Sequence, residues 1–384
     1  MEVAKGYCVV MKIKLSRREL ALATIGAATP LQLAMGAQST SKAEATKLSM
    51  PGLYRGRVVS VRHPGAVVGE AYQAEPIGRM MERGMRELTG APDLRAAWKV
   101  FFEPGDVVGI KLNPVGMPYV VNSAEVTRGI IAGLESAGVK RRDIVVYDRY
   151  RAQFLNAGFD KFLPEGVRWM SAVEDYEGIQ LGMDGYDPDH YMDMALVQAG
   201  QDLSNPAHRR SYAARFITRE VNKLINVPLL KDHQSAGVTL ALKNLSHGLV
   251  NNVARSHSTR TLNTCGAFIP AVVSLPVIRN KTVLHILEGM KALYHGGPGS
   301  TDRKQFVWNH QTLYFATDPV AMDRICWEAI DEKRVAAGMK KIAEDLPDKY
   351  STFIRRQPEH VEMAGALGLG EWDEKKIVRR KVEL

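Results

Sequence analysis

Lys231, Asp232, His233, Thr239, Lys243, Asn244 and His247 all fall inside the single stretch VPLLKDHQSAGVTLALKNLSHG, residues 227–248. Thr239, Lys243 and His247 are spaced i, i+4, i+8, which places them in one stripe along a helix. Val238, Ala241, Leu242 and Leu245 occupy much of the remaining helix surface. Such a helix is mostly buried, and a buried stripe of Thr, Lys and His needs partners. Two lysines at one seam suit a carboxylate or phosphate ligand. The competing reading for Lys243 is a structural ion pair with Asp318 or Asp323. His233 titrates near neutral pH in its ordinary state, which makes it the acid–base candidate, oriented by a remote carboxylate such as Asp148 or Asp318.

The catalytic candidates are therefore His233, Lys231 and Asp318. The ligand-binding candidates are Asn113, Lys243, Asn244 and Thr239, together with Gly296 and Gly297 of the HGGPG loop (295–299), whose backbone would let a ligand approach closely. Arg255, His257 and Arg260 would extend a basic wall, or lie on the solvated surface. His233, His247, His257 and Asp318 include metal-ligand types, but their spacing matches no metal motif, so no metal ligand is assigned.

These residues sit where predicted strands end. RVVSVRH (57–63), VVGIKLN (107–113), DIVVYDR (143–149), KLINVPLL (223–230), TVLHILEGM (282–290) and TLYFATD (312–318) carry the apolar runs of strands. Between them, IGRMMERGMREL (77–88), SAEVTRGIIAGLESAG (123–138), GVTLALKNL (237–245) and the segment opened by Asp318-Pro319 have helical periodicity. Strand–helix alternation predicts an α/β fold with a mainly parallel sheet, helices on both faces, and an irregular insertion around 150–215. Ligands of such sheets bind beyond the carboxyl ends of the strands. Asn113, Lys231, His233, Lys243, Asn244 and Asp318 are thus expected to converge on one cleft. The helix beginning near Gly237 would add free N–H groups as an anion site.

The chain has 384 residues with 45% hydrophobic and 24% charged residues, ordinary for a globular protein that needs no metal or disulfide staple. Its first 45 residues form a separate unit. A basic start, Ser16-Arg17-Arg18, a mild apolar run and Ala43-Glu44-Ala45 have the shape of a twin-arginine export signal. Met11 is an alternative start. Gly26, Pro30 and Gln32 interrupt the apolar run, so no stable membrane span is expected. The rest, 46–384, is expected to form a single α/β domain. The net charge is +9, and +6 once residues 1–45, with six Lys/Arg against three Asp/Glu, are set aside. That mild excess favours anions but gives no nucleic-acid arm. The basic KKIVRRK tail fits an edge strand guarded by its charges. Outside the signal, Cys265 and Cys326 make no disulfide framework and are expected to be free thiols.

Five strings carry a family resemblance in this order: KLN after an apolar strand, NVPLLKDH, GVTLALKN, HGGPG and DPVAMD. Together they resemble the family known as domain of unknown function 362, over roughly residues 105–330. Its most specific part is Pro-x-x-Lys-x-His (Pro228 to His233) with Thr-x-x-x-Lys-Asn (Thr239 to Asn244). The resemblance implies a fold and a site but no reaction. It also implies association with four-cysteine iron–sulfur modules. This chain has no Cys-x-x-Cys-x-x-Cys and cannot ligate such a cluster itself, so an iron–sulfur protein would be a partner. LSHG after Asn244 departs from the family's spacing, which leaves His247 without a family counterpart.

Three functions remain open on the sequence: an enzyme acting on a small anion, a non-catalytic binder of an anionic ligand or cofactor, and a metal-dependent hydrolase. The expected partners are the small anion, the twin-arginine translocase during export, and an iron–sulfur protein. The cofactor is unknown, and the expected location is periplasmic or otherwise exported.

Overall fold

A computed structural model describes residues 44–384, apart from Leu262 and Arg355. Nearly all of the segment read as an export signal (residues 1–43) lies outside the described residues. A ten-stranded sheet organises the fold. Its strands are β1 (Arg57–Arg62), β2 (Val108–Lys111), β3 (Ile144–Tyr147), β4 (Arg168–Met170), β5 (Lys223–Asn226), β6 (Leu229–His233), β7 (Gly237–Val238), β8 (Thr282–Leu293), β9 (Val307–Ala316) and β10 (Val378–Glu383). They run in the order β10-β1-β9-β8-β5-β2-β3-β4, with β6 paired to β7 and to the distal half of β8. The block β8-β5-β2-β3-β4 is parallel throughout.

The two faces of the sheet follow from side-chain alternation. Ile144 and Val146 join one core with Ile110, Ile225 and Val61, covered by α1 (Ala74–Thr89) and α2 (Ala124–Ala137). Val145, Tyr147 and Leu224 turn the other way, under α3 (Leu240–Leu249) and α4 (Cys265–Val273). Leu287, Tyr314 and Ala316 pack on the same side beneath α5 (Pro319–Ala336). The α/β architecture with helices on both faces is as the sequence predicts.

Four details differ from expectation. KLINVPLL is two strands: Pro228 cannot donate to a ladder, so β5 stops at Asn226 and the chain resumes as β6. Leu224 and Asn226 pair with Thr282 and His285 of β8, whereas Leu229 and Lys231 pair further along with Glu288 and Leu293. GVTLALKNL begins as the short strand β7, and its helix starts only at Leu240. The 150–215 region is not wholly an insertion, because Arg168–Met170 is the outer strand β4, while Tyr186–Asp193 and Arg210–Ala214 form a separate two-stranded ribbon. Finally, β9 runs antiparallel to β8, with Ala316 opposite His285 and Val307 opposite Leu293.

Candidate functional site

Beyond the carboxyl ends of β2 and β3, and along β6, lies a cavity of about 280 Å³. Its wall includes Lys111, Asn113, Asp148, Arg149, Lys231 and His233 from the strand ends. The helical segments add Thr239, Lys243, Asn244, His247 and His257. Strand alternation explains the selection along β6. Lys231 and His233 face the cavity, whereas Asp232 between them faces away, accepting from the Gly297 N–H (2.8 Å) and from Arg356 Nη1 (3.5 Å). The stripe Thr239, Lys243 and His247 also lines the cavity.

A network of amides fixes the floor. Lys231 Nζ donates to Asn113 Oδ1 (2.9 Å), and Asn113 Nδ2 donates to Asn244 Oδ1 (3.0 Å). Asn244 Nδ2 donates to Asn226 Oδ1 (2.7 Å), and Asn226 Nδ2 reaches the Ala241 carbonyl (3.1 Å). Lys111 Nζ makes an ion pair with Asp148 (2.7 Å). Behind the floor, Asn122 Oδ1 accepts from the Asn113 N–H (2.6 Å), and Asn122 Nδ2 donates to Glu288 (3.2 Å). Glu288 also receives the Ser123 N–H at the start of α2 (3.1 Å), and burial pushes its carboxyl up to about 7. Gly248 allows α3 to approach Lys111, since a Cβ there would sit 2.8 Å from Lys111 Nζ.

Charge in this cavity is unbalanced. Among the described residues Asp148 is the only carboxylate in its wall, and Lys111 already occupies it. Arg149 is held by the Tyr186 hydroxyl (2.8 Å) and Gln180 (3.3 Å). Lys231 donates to an amide oxygen and, among the described residues, makes no direct ion pair, although Asp148 and Asp232 act on it from further away. Among the described residues, Lys243 Nζ makes no hydrogen bond or ion pair. Burial lowers Lys231 to about 7, with the positive charges of Lys243 and Lys111 adding to the effect. Burial also lowers Lys243 to about 8. At about 1.4 kcal/mol per tenfold in proton affinity, holding either lysine charged at neutral pH costs on the order of 3–5 kcal/mol. That is a large fraction of the roughly 5–15 kcal/mol by which a domain is stable. The buried Thr239 hydroxyl likewise has no hydrogen-bond partner among the described residues.

His233 has a definite protonation pattern. Its Nδ1 accepts from the N–H groups of Ser235 (3.1 Å) and Ala236 (3.3 Å), so the proton of the neutral ring sits on Nε2. Burial, Lys243 and His257 hold its pKa well below the ordinary histidine value. His233 is therefore a neutral hydrogen-bond donor at Nε2. A base or metal ligand acting through Nε2 would need the opposite tautomer. His257 is pushed down to about 3 by burial and Lys243. Among the described residues no group of three or more His, Cys, Asp or Glu side chains is arranged to hold a metal ion.

The structure thus brings together Asn113, Lys231, His233, Thr239, Lys243 and Asn244, and leaves three expected residues outside. Asp318 is absent from the wall because β9 is antiparallel, which delivers its carboxyl end to the opposite edge of the sheet. There the carboxylate caps α5, accepting from the N–H groups of Val320 (3.0 Å), Ala321 (2.9 Å), Gly56 (2.9 Å) and Glu371 (2.8 Å). Gly296 and Gly297 do not line the cavity, although Pro298 does. Gly297 packs against Asp232, where a Cβ would collide with the Asp232 carbonyl, and so steadies β6 from behind.

Two further expectations are revised. Two of the first N–H groups of α3 are not available to an anion, because Asp323 takes those of Ala241 (2.7 Å) and Leu242 (3.0 Å). Arg255 is buried and satisfied by the carbonyls of Asn252, Met194 and Leu196, so it is no part of the basic wall. Sequence reasoning missed Asn122, Asn226, Tyr150 and Gln180. Of these, only Asn226 left a signal, as a polar residue inside the apolar run LINVPLL.

The strings that resemble a known family all lie in and around this construction, and residues 108–328 match the family model described as Domain of unknown function (DUF362). The chain belongs to the DUF362 family. The matched segment runs from β2 into α5 and contains every cavity residue named above. No match was found among curated proteins. Within the DUF362 segment, the Lys231–His233 and Thr239–Asn244 strings supply adjoining parts of one wall.

Proposed function

We propose that the strand-end cavity binds a small anionic molecule. Lys231 and Lys243 supply the charge, the His233 Nε2–H and the Thr239 hydroxyl hydrogen-bond the bound group, and Asn113 and Asn244 hold Lys231 and the floor in register. The observation that carries this reading is Lys243: a buried ammonium group at a cavity wall, with no carboxylate among the described residues to neutralise it. An unpaired buried charge is unfavourable unless a ligand completes it. Export through the signal at Ser16-Arg17-Arg18 belongs to the same proposal, with the site operating outside the cytoplasm.

Transformation of the anion is the finer part of the reading. Two lysines held near their titration range can move protons at neutral pH, whereas a simple anion receptor gains nothing from that. Metal-dependent hydrolysis has less support, because the His233 tautomer and the scattered carboxylates do not form a ligand set.

Calorimetry with inorganic phosphate, acetate, lactate and malonate tests the binding proposal. At least one should bind to the wild-type chain and raise its melting temperature, and Lys243→Met should abolish both effects. Absence of binding by all four at millimolar concentration would sink the proposal.

A further inference from the structure

We infer that Lys243 is a nucleophile that captures the carbonyl carbon of a small 2-oxo acid as an imine, while Lys231 holds the acid's carboxylate. The inference rests on the anion-binding reading and names its substrate class.

The two lysines are not equivalent. Lys231 is tethered by Asn113 (2.9 Å), as an anchoring cation should be, whereas Lys243 Nζ has no such tether among the described residues. His233, His247, His257, His360 and the Cys265 thiol lie within electrostatic reach of Lys243, and among the described residues the only carboxylate in the cavity wall is bound to Lys111. An amine becomes a nucleophile when its neutral form is accessible, through desolvation or a nearby cation. Desolvation is the condition met at Lys243, and with its pKa lowered by burial to about 8, on the order of a tenth is neutral amine at pH 7. Thr239 lies one helical turn before Lys243, 5% exposed, lining the cavity, with its hydroxyl unpartnered. An oxygen developing on the attacked carbon is the partner that hydroxyl lacks. A volume of about 280 Å³ admits an acid of a few carbon atoms.

The step balances without any further reactant. The lone pair of neutral Lys243 Nζ forms the N–C bond, the C=O π pair moves to oxygen, and one Nζ proton transfers to that oxygen to give a carbinolamine. The Lys231 ammonium then donates a proton to the hydroxyl, which leaves as water, and the nitrogen lone pair closes the C=N bond of the iminium. Lys231, now neutral, regains a proton from solvent. No atom is oxidised or reduced.

The test uses the full chain with pyruvate and sodium borohydride near neutral pH, followed by peptide mass mapping. One carboxyethyl group should appear on Lys243, at about tenfold or greater excess over any other lysine. Lys231→Met should lower that yield about tenfold through loss of the carboxylate anchor, and Lys243→Arg should remove the adduct. If Lys243→Arg does not fold, mapping on the wild-type chain decides alone. Lactate has the carboxylate but no ketone. If lactate binds and yet pyruvate with borohydride leaves Lys243 unmodified, the imine falls and the anion site stands. If phosphate, acetate, lactate and malonate all fail to bind and pyruvate forms no adduct, both fall.

Discussion

Lys243 embodies a conflict between stability and binding. Replacing its unpaired charge with an apolar side chain of similar length removes a desolvation cost, so Lys243→Met should stabilise the unliganded chain by about 1–2 kcal/mol while abolishing anion binding. Denaturant titration checks the first part and calorimetry the second. The pH dependence follows from the lowered lysines. Anions favour the ammonium forms, so affinity should be level below pH 7 and fall as pH rises through about 7 and about 8. Stability has the opposite slope. Between these folded-state values and the ordinary 10.5, the unfolded chain binds more protons, so the lysines' contribution to stability rises with pH across that window. His233→Gln tests the donor role: Gln can still donate at this position, so affinity should change less than tenfold. A loss of binding equal to that of Lys243→Met would contradict the donor role.

At the scale of elements, helix ends divide the acidic residues into groups with different work. Asp318 and Asp323 bind backbone N–H groups at the starts of α5 and α3, and burial pushes Asp318 up to about 6. Asp318→Ala strips four N–H groups, three of them buried, of their acceptor and should cost about 2–4 kcal/mol, yet leave anion affinity within about twofold. Chemical denaturation and calorimetry on the same preparation check this, and lost affinity in a folded Asp318→Ala chain would place the residue back in the site. The break at Pro228 has a comparable logic. It lets β6 leave the path of β5 and pair with the distal half of β8, which carries Lys231 past the end of the main ladder to the rim. Asp232 then locks that excursion from behind through Gly297 and Arg356, the latter also joined to Asp345. Gly297→Ala should therefore weaken anion binding without touching the cavity.

For the whole molecule, export and redox chemistry are the testable properties. Replacing Arg17 and Arg18 with lysines should leave unprocessed precursor in the cytoplasm, and normal processing of that variant on an immunoblot would refute the twin-arginine assignment. Cys265 and Cys326 are both free and buried, so they should resist thiol reagents in the native chain and react fully once denatured without reductant. Among the described residues no helix is long and apolar enough to cross a membrane.

Much of the fold was legible because it rests on local rules. Apolar runs with period 2 and helical stripes with their caps determined strands, helices and an α/β class, and Ser123 and Gly138 bound α2 as their residue types require. The site was legible wherever parallel strands carry their ends to one edge, hence Asn113, Lys231 and His233, and wherever helical spacing fixes a face, hence Thr239 and Lys243. Strand direction was not legible. Nothing within TLYFATD says that β9 is antiparallel, and that alone moved Asp318 to the far edge. The His233 tautomer depends on two backbone N–H groups brought round by the turn after β6, and the occupation of the α3 start depends on Asp323, about eighty residues further along. Periodicity specifies which face a side chain takes. Which distant group meets it there is decided only when the sheet order and the strand directions are set.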